Sequence, residues 1–344
     1  MNVKPKNPMP QEHIYPTSAF IAVTLLCNSR CIHCDIWKNR GMDFLPVDIY
    51  AKLPQSLEMV DITGGEPFLR NDIPDIVRVI RTRCPKARIL ITTNGFLPAK
   101  IKSQVSRIIT VDPKIAFRLS LDGWGPTHEK VRGIPNAFEK VMETIAILKE
   151  AGVQDIGLTF TLMAINQHEL RTVYDYCRKE NLSFSLNVVH DSPIYFGTGK
   201  MSLQPKPKTV KKDFEYLFSE QMKSANPKDW GKAWFNRYSY EYMLHHKRPL
   251  PCGAGENFFY MDPFANIFMC QIKNWPIGNL QKQTFEQIWY SDPKRRFLGP
   301  AHACNDCWII CTAKDAIKKN KLRVMGDVAG LIAAHKPLFT PIAP

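Results

Sequence analysis

The sequence predicts an α/β protein built as a partial, TIM-like (β/α)6 barrel with a small second domain behind it. Three observations predict this. Short β-rich runs alternate with helix-period segments from residue 18 to 190, polar residues recur at the ends of the predicted strands, and most of the cysteines fall into two separated groups. Alternating strand and helix is the pattern of a parallel sheet with crossover helices. Six units fall short of a closed eight-stranded barrel, so the sheet should stay open and bind ligands at the C-terminal ends of its strands.

Strands are predicted over residues 19–26, 58–63, 88–93, 115–121, 156–163 and 183–189, with helices over 73–83, 136–151 and 167–180. In the second helix Phe138, Val141, Ile145 and Leu148 recur at helical spacing. Cys27, Gly64, Asn94 and Asp122 each fall at or just after a predicted strand end. Around residues 197–207 the composition turns to Gly, Pro, Lys and Ser, which marks a connection leaving the barrel, and a helical stretch follows to about His246. Beyond it a hairpin is expected over 257–261 and 266–270, turning at Asp262-Pro263-Phe264-Ala265, with a short helix at 285–289. The chain thus divides into an N-terminal extension (1–17), a barrel core (18–200), a helical connection (201–250), a cysteine-bearing domain (251–325) and a tail (326–344).

The 344 residues, 44% hydrophobic and 23% charged, suffice to bury a sizeable core. No run approaches the ~18 apolar residues of a membrane-spanning helix. Residues 1–13 lack the apolar stretch of a secretory signal, so a cytoplasmic location is expected. Forty-six Lys and Arg against 32 Asp and Glu give a net charge of +14, which suits an acidic substrate, a nucleic acid or an anionic surface. The densest basic groups, 206–212 and 314–323, are not interleaved with aromatics as base stacking requires, so a solvated surface is preferred and nucleic acid is disfavoured. Ten cysteines without a secretion signal point to metal and away from disulfides; Cys84 and Cys177, outside the two groups, read as packing residues.

Cys27-x3-Cys31-x2-Cys34 follows the first strand, so three thiolates can converge from one loop. A [4Fe–4S] cluster normally takes four cysteines, and a loop supplying three leaves one iron open to a ligand. Structural zinc, the alternative, wants a fourth ligand, and the adjacent His33 is awkwardly placed for it. Thr63-Gly64-Gly65-Glu66-Pro67 ends the second strand, where two glycines allow a sharp turn and close approach to a ligand's amino group. Thr92-Thr93-Asn94-Gly95 and Ser120-Leu121-Asp122-Gly123 add polar side chains to the same rim.

Over about residues 18–312, this arrangement resembles the radical S-adenosylmethionine (SAM) superfamily. The resemblance implies that Cys27, Cys31 and Cys34 hold a [4Fe–4S] cluster whose open iron chelates SAM, and that an injected electron cleaves SAM to methionine and a hydrogen-abstracting 5′-deoxyadenosyl radical. It also implies that Gly64, Gly65 and Glu66 contact the SAM amino group, with Asn94, Ser120 and Asp122 as further candidates for the rest of SAM. His33 stands where the family usually has an aromatic residue beside the adenine.

Cys252-x17-Cys270, followed by Cys304-x2-Cys307-x3-Cys311, resembles the family's SPASM/twitch extension. Five cysteines imply one auxiliary [4Fe–4S] cluster on Cys252, Cys270, Cys304 and Cys307, with Cys311 able to replace one of the last pair; tetrahedral zinc is the alternative. Ala265 occupies the position before the second ligand where the family commonly has glycine. The implied activity is a redox-assisted oxidation or dehydrogenation of a small molecule, lipid head group or peptide, with the auxiliary cluster as electron acceptor and a flavodoxin- or ferredoxin-type donor. A ribosomal-peptide maturase forming a thioether or carbon–carbon crosslink is the second reading. A non-catalytic zinc or electron-carrier protein is a third, from another class. Nothing upstream of Cys27 is long enough for the leader-binding domain of many peptide-modifying relatives, so a small molecule, a lipid head group or a peptide delivered by a separate partner is expected. His190, Asp191 and Tyr195 follow the sixth strand, and none is assigned as the catalytic acid or base.

Overall fold

The computed structural model describes residues 15–39 and 44–333. Nearly all of the expected N-terminal extension and most of the expected tail lie outside them. Six strands, β1 (Ser18–Ala22), β2 (Met59–Thr63), β3 (Arg88–Thr93), β4 (Ala116–Ser120), β5 (Asp155–Leu162) and β6 (Ser183–Val188), pair in parallel in sequence order. The crossovers are carried by α1 (Ile73–Arg83), α2 (Pro98–Val111), α3 (Pro126–Arg132), α4 (Ala137–Glu150) and α5 (Leu170–Lys179). Because each strand is added on the same side of the last and such crossovers are right-handed, every helix lies on one face and the sheet curls as an open barrel. That face is apolar: Ile62, Ile91, Phe117, Leu119, Leu158 and Phe160 are buried in one continuous core.

The first strand is shorter than the expected 19–26. Beyond Ala22 the chain leaves the ladder to meet the rim of β2: Gly65 N–H donates to Thr24 O at 2.7 Å and Glu66 N–H to Leu26 O at 2.8 Å. The helices α2 and α3 were not expected. Both open on a proline at the first turn, which is the local signal for them.

After β6, α6 (Pro207–Met222) and α7 (Pro227–His245) form the expected helical connection. The chain then rejoins the same sheet. Strand β7 (Phe258–Met261) pairs in parallel with the free edge of β1, and β8 (Asn266–Phe268) and β9 (Pro276–Asn279) continue antiparallel, so the hairpin extends the barrel wall and gains an unexpected third strand. Ala265 holds the hairpin turn at φ 64, a left-handed conformation in a fully buried residue. The expected short helix is α8 (Phe285–Trp289), with a Thr284/Gln287 capping box. It is followed by α9 (Asp292–Ala303), α10 (Ile310–Lys319) and α11 (Lys321–Ala333), and the expected division between 325 and 326 falls inside α11.

The inner face of the sheet is polar. Asp61, Thr92, Arg118, Thr159, Ser185 and Asn187 alternate along the strands with the apolar residues that face the helices. A closed barrel fills this space with bulky branched side chains. Here α10 crosses it, from Asn187 near the end of β6, whose Oδ1 accepts from Ile310 N–H at 3.0 Å, to Glu58 at the start of β2, which pairs with Lys318.

Candidate functional site

Cys27, Cys31 and Cys34 sit together in the loop after β1, packed against Leu25, Ile36, Tyr195 and Phe196. Burial, reinforced by the neighbouring thiols, pushes Cys27 and Cys34 each up to about 12. The loop is held from both sides. The Gly64-Gly65 turn lies so close that a Cβ on Gly65 would stand 2.0 Å from Leu26 O. From the other side, Arg30 N–H and Ser29 Oγ donate to Arg132 O at the end of α3.

Arg132 is the residue that pattern reading missed. Its Nη1 donates to Cys31 Sγ at 3.4 Å and its Nη2 pairs with the fully buried Asp122 at 2.6 Å, while its buried Nε has no partner. Burial works against its charge, but Asp122 and Cys31 hold it above the usual arginine range. Asp122 also accepts from Thr161 N–H through Oδ1 at 2.7 Å, tying β4 to β5.

Glu66 is fully buried, and both of its oxygens are engaged inside the protein. Oε1 accepts from Thr93 Oγ1 at 2.7 Å and Phe68 N–H at 3.0 Å; Oε2 accepts from Asn94 N–H at 2.7 Å. Burial pushes its carboxyl up to about 6 despite these bonds. Asn94 in turn donates to Asn28 Oδ1 at 2.7 Å, beside Cys27. Ser120 lies half-buried at the end of β4, paired with Thr159. His33, His128 and His190 are three buried or half-buried imidazoles, each with one buried nitrogen that lacks a partner. Burial lowers His33 to about 4 and His128 to about 3, and lowers His190 as well, so all three are neutral at pH 7.

Residues 190–204 form a strap over this rim. Tyr195 Oη donates to Gly64 O at 2.5 Å, Asp35 N–H donates to Phe196 O at 2.9 Å, and Ser192 Oγ donates at 2.7 Å to the carbonyl of Gln271, next to Cys270.

The second cysteine group is equally well formed. Cys252 is raised by burial and by Cys304; burial with Cys252 and Cys304 takes Cys270 to about 11, and burial with Cys252 and Cys270 takes Cys307 to about 12. Cys252, Cys270, Cys304 and Cys307 thus lie near enough to influence one another. Cys311 has other neighbours: burial and Asp61 raise it to about 12, and it meets the Gln271 side chain at the barrel's inner face. Among the described residues no three His, Cys, Asp or Glu side chains converge on a single ion. Tetrahedral zinc would draw its sulfurs to within about 2.3 Å of one point, whereas a cubane spreads them over separate corner irons.

Residues 21–177 match the family model of the radical SAM superfamily, and residues 252–308 match that of the SPASM iron–sulfur cluster-binding domain. The chain belongs to the radical SAM superfamily. The SPASM match takes in Cys252, Cys270, Cys304 and Cys307.

This radical SAM chain is 25% identical to the antilisterial bacteriocin subtilosin biosynthesis protein AlbA of Bacillus subtilis, over 80% of the chain and 60% of AlbA. It is 31% identical to a probable GTP 3′,8-cyclase of Methanococcus aeolicus, over 51% of the chain and 59% of that protein. It thus spans about three fifths of the length of these curated relatives. Among solved structures it shares the fold of anSMEcpe with bound AdoMet and Cp18Cys peptide (TM-score 0.63, 17% identity, 92% of this chain and 100% of that one). It also shares the fold of Streptococcus suis SuiB bound to precursor peptide SuiA (TM-score 0.61, 16% identity, 87% and 71%).

The cofactors of this radical SAM enzyme are SAM, a [4Fe–4S] cluster with an open iron and an auxiliary iron–sulfur cluster, and the residues present fit them. The buried Cys31 and Cys34 and the half-buried Cys27, beside a glycine-lined rim and an unpartnered guanidinium Nε, suit the first two; the neighbouring thiols of the second group suit the third. No helix among the described residues is long and apolar enough to cross a membrane.

Proposed function

We propose that this enzyme oxidatively modifies a peptide, with the auxiliary cluster taking up the electron released from the substrate. The observation that carries this reading is the second thiol site, built on the same sheet as the first and joined to it by the strap through Ser192 and Tyr195. Similarity to AlbA, and a fold shared with peptide-bound anSMEcpe and SuiB, support a peptide as substrate over a small molecule or lipid.

In this reading Cys27, Cys31 and Cys34 hold the initiating cluster, and Cys252, Cys270, Cys304 and Cys307 the auxiliary one. When bound, the initiating cluster and SAM supply one-electron chemistry that removes a substrate hydrogen atom. The chain's own residues bind and orient. Gly64 and Gly65 let the rim of β2 pack directly on the backbone of Thr24 and Leu26, which sets that rim beside the cluster loop as the place for the SAM amino group, and the Arg132 Nε is the buried donor that a carboxylate would satisfy. Glu66 holds Thr93 and Asn94 in place at this rim; His33, Asn94, Ser120 and Asp122 surround the remainder of SAM. Tyr195 and Phe196 exclude water from the cluster loop. The rim beside the cluster loop then receives the substrate, while the inner face below it is filled by α10, against which Asp61, held by Thr92 Oγ1 at 2.9 Å, packs beside Cys311.

The test is anaerobic reconstitution followed by incubation with SAM, a strong reductant and candidate peptides encoded beside the gene. Mass spectrometry should show SAM cleaved and a peptide that has lost a hydrogen pair. SAM cleavage with no peptide modified, but with a small molecule consumed, would overturn the peptide assignment. No cleavage at all by the iron-replete protein would overturn the enzyme reading.

A further inference from the structure

Arg248 lies in the segment between α7 and Cys252 and is 7% exposed. Its Nε donates to Leu250 O at 3.2 Å, its Nη1 to Cys307 O at 2.7 Å and to Thr312 Oγ1 at 3.2 Å, and its Nη2 to Thr312 O at 3.3 Å. Its guanidinium lies 5.1 Å from the Trp308 ring centroid. These partners are all neutral. Among the described residues the buried arginines are Arg70, Arg132 and Arg248; Arg70 pairs with Asp72 and Arg132 with Asp122, but Arg248 has no carboxylate within salt-bridge distance.

A buried cation without a counter-charge is strongly disfavoured. Cys307, of the second site, is an ionisable side chain in contact with Arg248. The Arg248 Nη1 is 3.6 Å from Cys307 Sγ, a sulfur that becomes a thiolate when the cluster binds. The first cysteine loop offers an instructive contrast, because Arg132 also donates to a cysteine sulfur but is neutralised by Asp122.

We infer that Arg248 is the counter-cation of the auxiliary cluster, a positioning residue whose uncompensated charge and sulfur hydrogen bond raise that cluster's reduction potential. Net charge and hydrogen bonds to sulfur are what set such potentials. Reduction adds one electron and one negative charge to the cluster with its four thiolates; a neighbouring guanidinium favours that added charge, and no proton moves because the guanidinium stays protonated. The two sites are thereby biased in opposite senses. The neutralised Arg132 leaves the initiating cluster low in potential, and the bare charge of Arg248 makes the auxiliary cluster the better acceptor. Arg248 thus deepens the electron-acceptor role proposed above and rests on it, while making no use of the substrate's identity.

The experiment uses the full chain carrying Cys27→Ala, Cys31→Ala and Cys34→Ala, so that the auxiliary cluster alone is reconstituted and read by EPR-monitored redox titration without substrate. With Arg248→Gln and iron content unchanged, the reduced-to-oxidised ratio at a fixed potential should fall at least tenfold, which is about 59 mV for a one-electron couple. Arg248→Lys, which keeps the charge, should stay within about threefold. An iron-replete Arg248→Gln protein with an unchanged midpoint overturns the assignment, as do equal shifts in the two variants. If Arg248→Gln fails to retain the cluster, retention by Arg248→Lys supports a required cation. Loss from both overturns it and leaves Arg248 shaping the loop through Cys307 O and Thr312. Failure to find a peptide product leaves this titration unaffected, so the two readings fail separately.

Discussion

Removing the Glu66 carboxylate tests whether this residue acts by holding the rim together. In Glu66→Ala, Phe68 N–H, Thr93 Oγ1–H and Asn94 N–H lose their acceptor in a fully buried site. Each orphaned donor costs about 1–3 kcal/mol, or about 6 kcal/mol for the set at mid-range. Against this, burial holds the Glu66 carboxyl at about 6 from a usual 4.5, so deleting a group ionised at pH 7 returns about 2 kcal/mol. The expected net loss is about 4 kcal/mol. Glu66→Gln behaves differently: its amide oxygen can keep Phe68 and Thr93, only the Asn94 N–H is orphaned, and the cost of about 2 kcal/mol is offset by removal of the buried charge. Urea unfolding of the metal-free, reduced protein should therefore place Glu66→Gln near wild type and Glu66→Ala far below it. A Glu66→Ala protein within about 1 kcal/mol of wild type would refute the internal role. A Glu66→Gln protein of normal stability that binds SAM tenfold more weakly would make the carboxylate itself a SAM ligand.

Cys304→Ser should halve the iron bound after reconstitution while Cys311→Ser leaves it unchanged, read by iron analysis; equal losses would place Cys311 in the cluster. Ala265→Gly should stabilise the protein by about 1 kcal/mol, because the left-handed φ of 64 favours glycine, and a thermal melt that falls would mean the buried methyl matters more. His128, lowered to about 3 by burial and then by Arg132, takes up a proton in the unfolded chain before it does so in the folded one. It therefore removes stability as pH falls below about 6.5, by about 2 kcal/mol at pH 5. His128→Asn, which keeps an acceptor for Asp122 N–H, should flatten that acid limb between pH 6.5 and 5, and an unchanged limb would assign it to other groups. Cysteines held protonated near 12 must release protons to bind iron, so reconstitution at a fixed iron concentration should improve from pH 7 to pH 9, and a fall over that range would contradict the burial argument.

Much of the fold and the metal ligands could be read from local spacing. Cys27, Cys31 and Cys34 share one loop, the glycine pair and the Asn94 and Asp122 turns each end a strand, and the strands alternate at short range, so the information lies within a few residues. The groups that govern charge do not. Arg132 meets Cys31 across 101 residues of sequence, Tyr195 meets Gly64 across 131, and Arg248 meets Cys307 across 59. Each is an ordinary residue in its own segment: Arg132 and Tyr195 gain their contacts as the strands before them join the sheet, and Arg248 gains its own where the chain returns past β1 to build the second thiol site. Cys311, three residues beyond Cys307 at the start of α10, has Asp61 and Gln271 as neighbours, which its spacing does not show. Cysteine spacing thus identifies which metal centres the chain can hold. On the proposed reading, which of them is the better electron acceptor depends on something spacing does not carry, namely that Arg132 has an aspartate beside it and Arg248 has none.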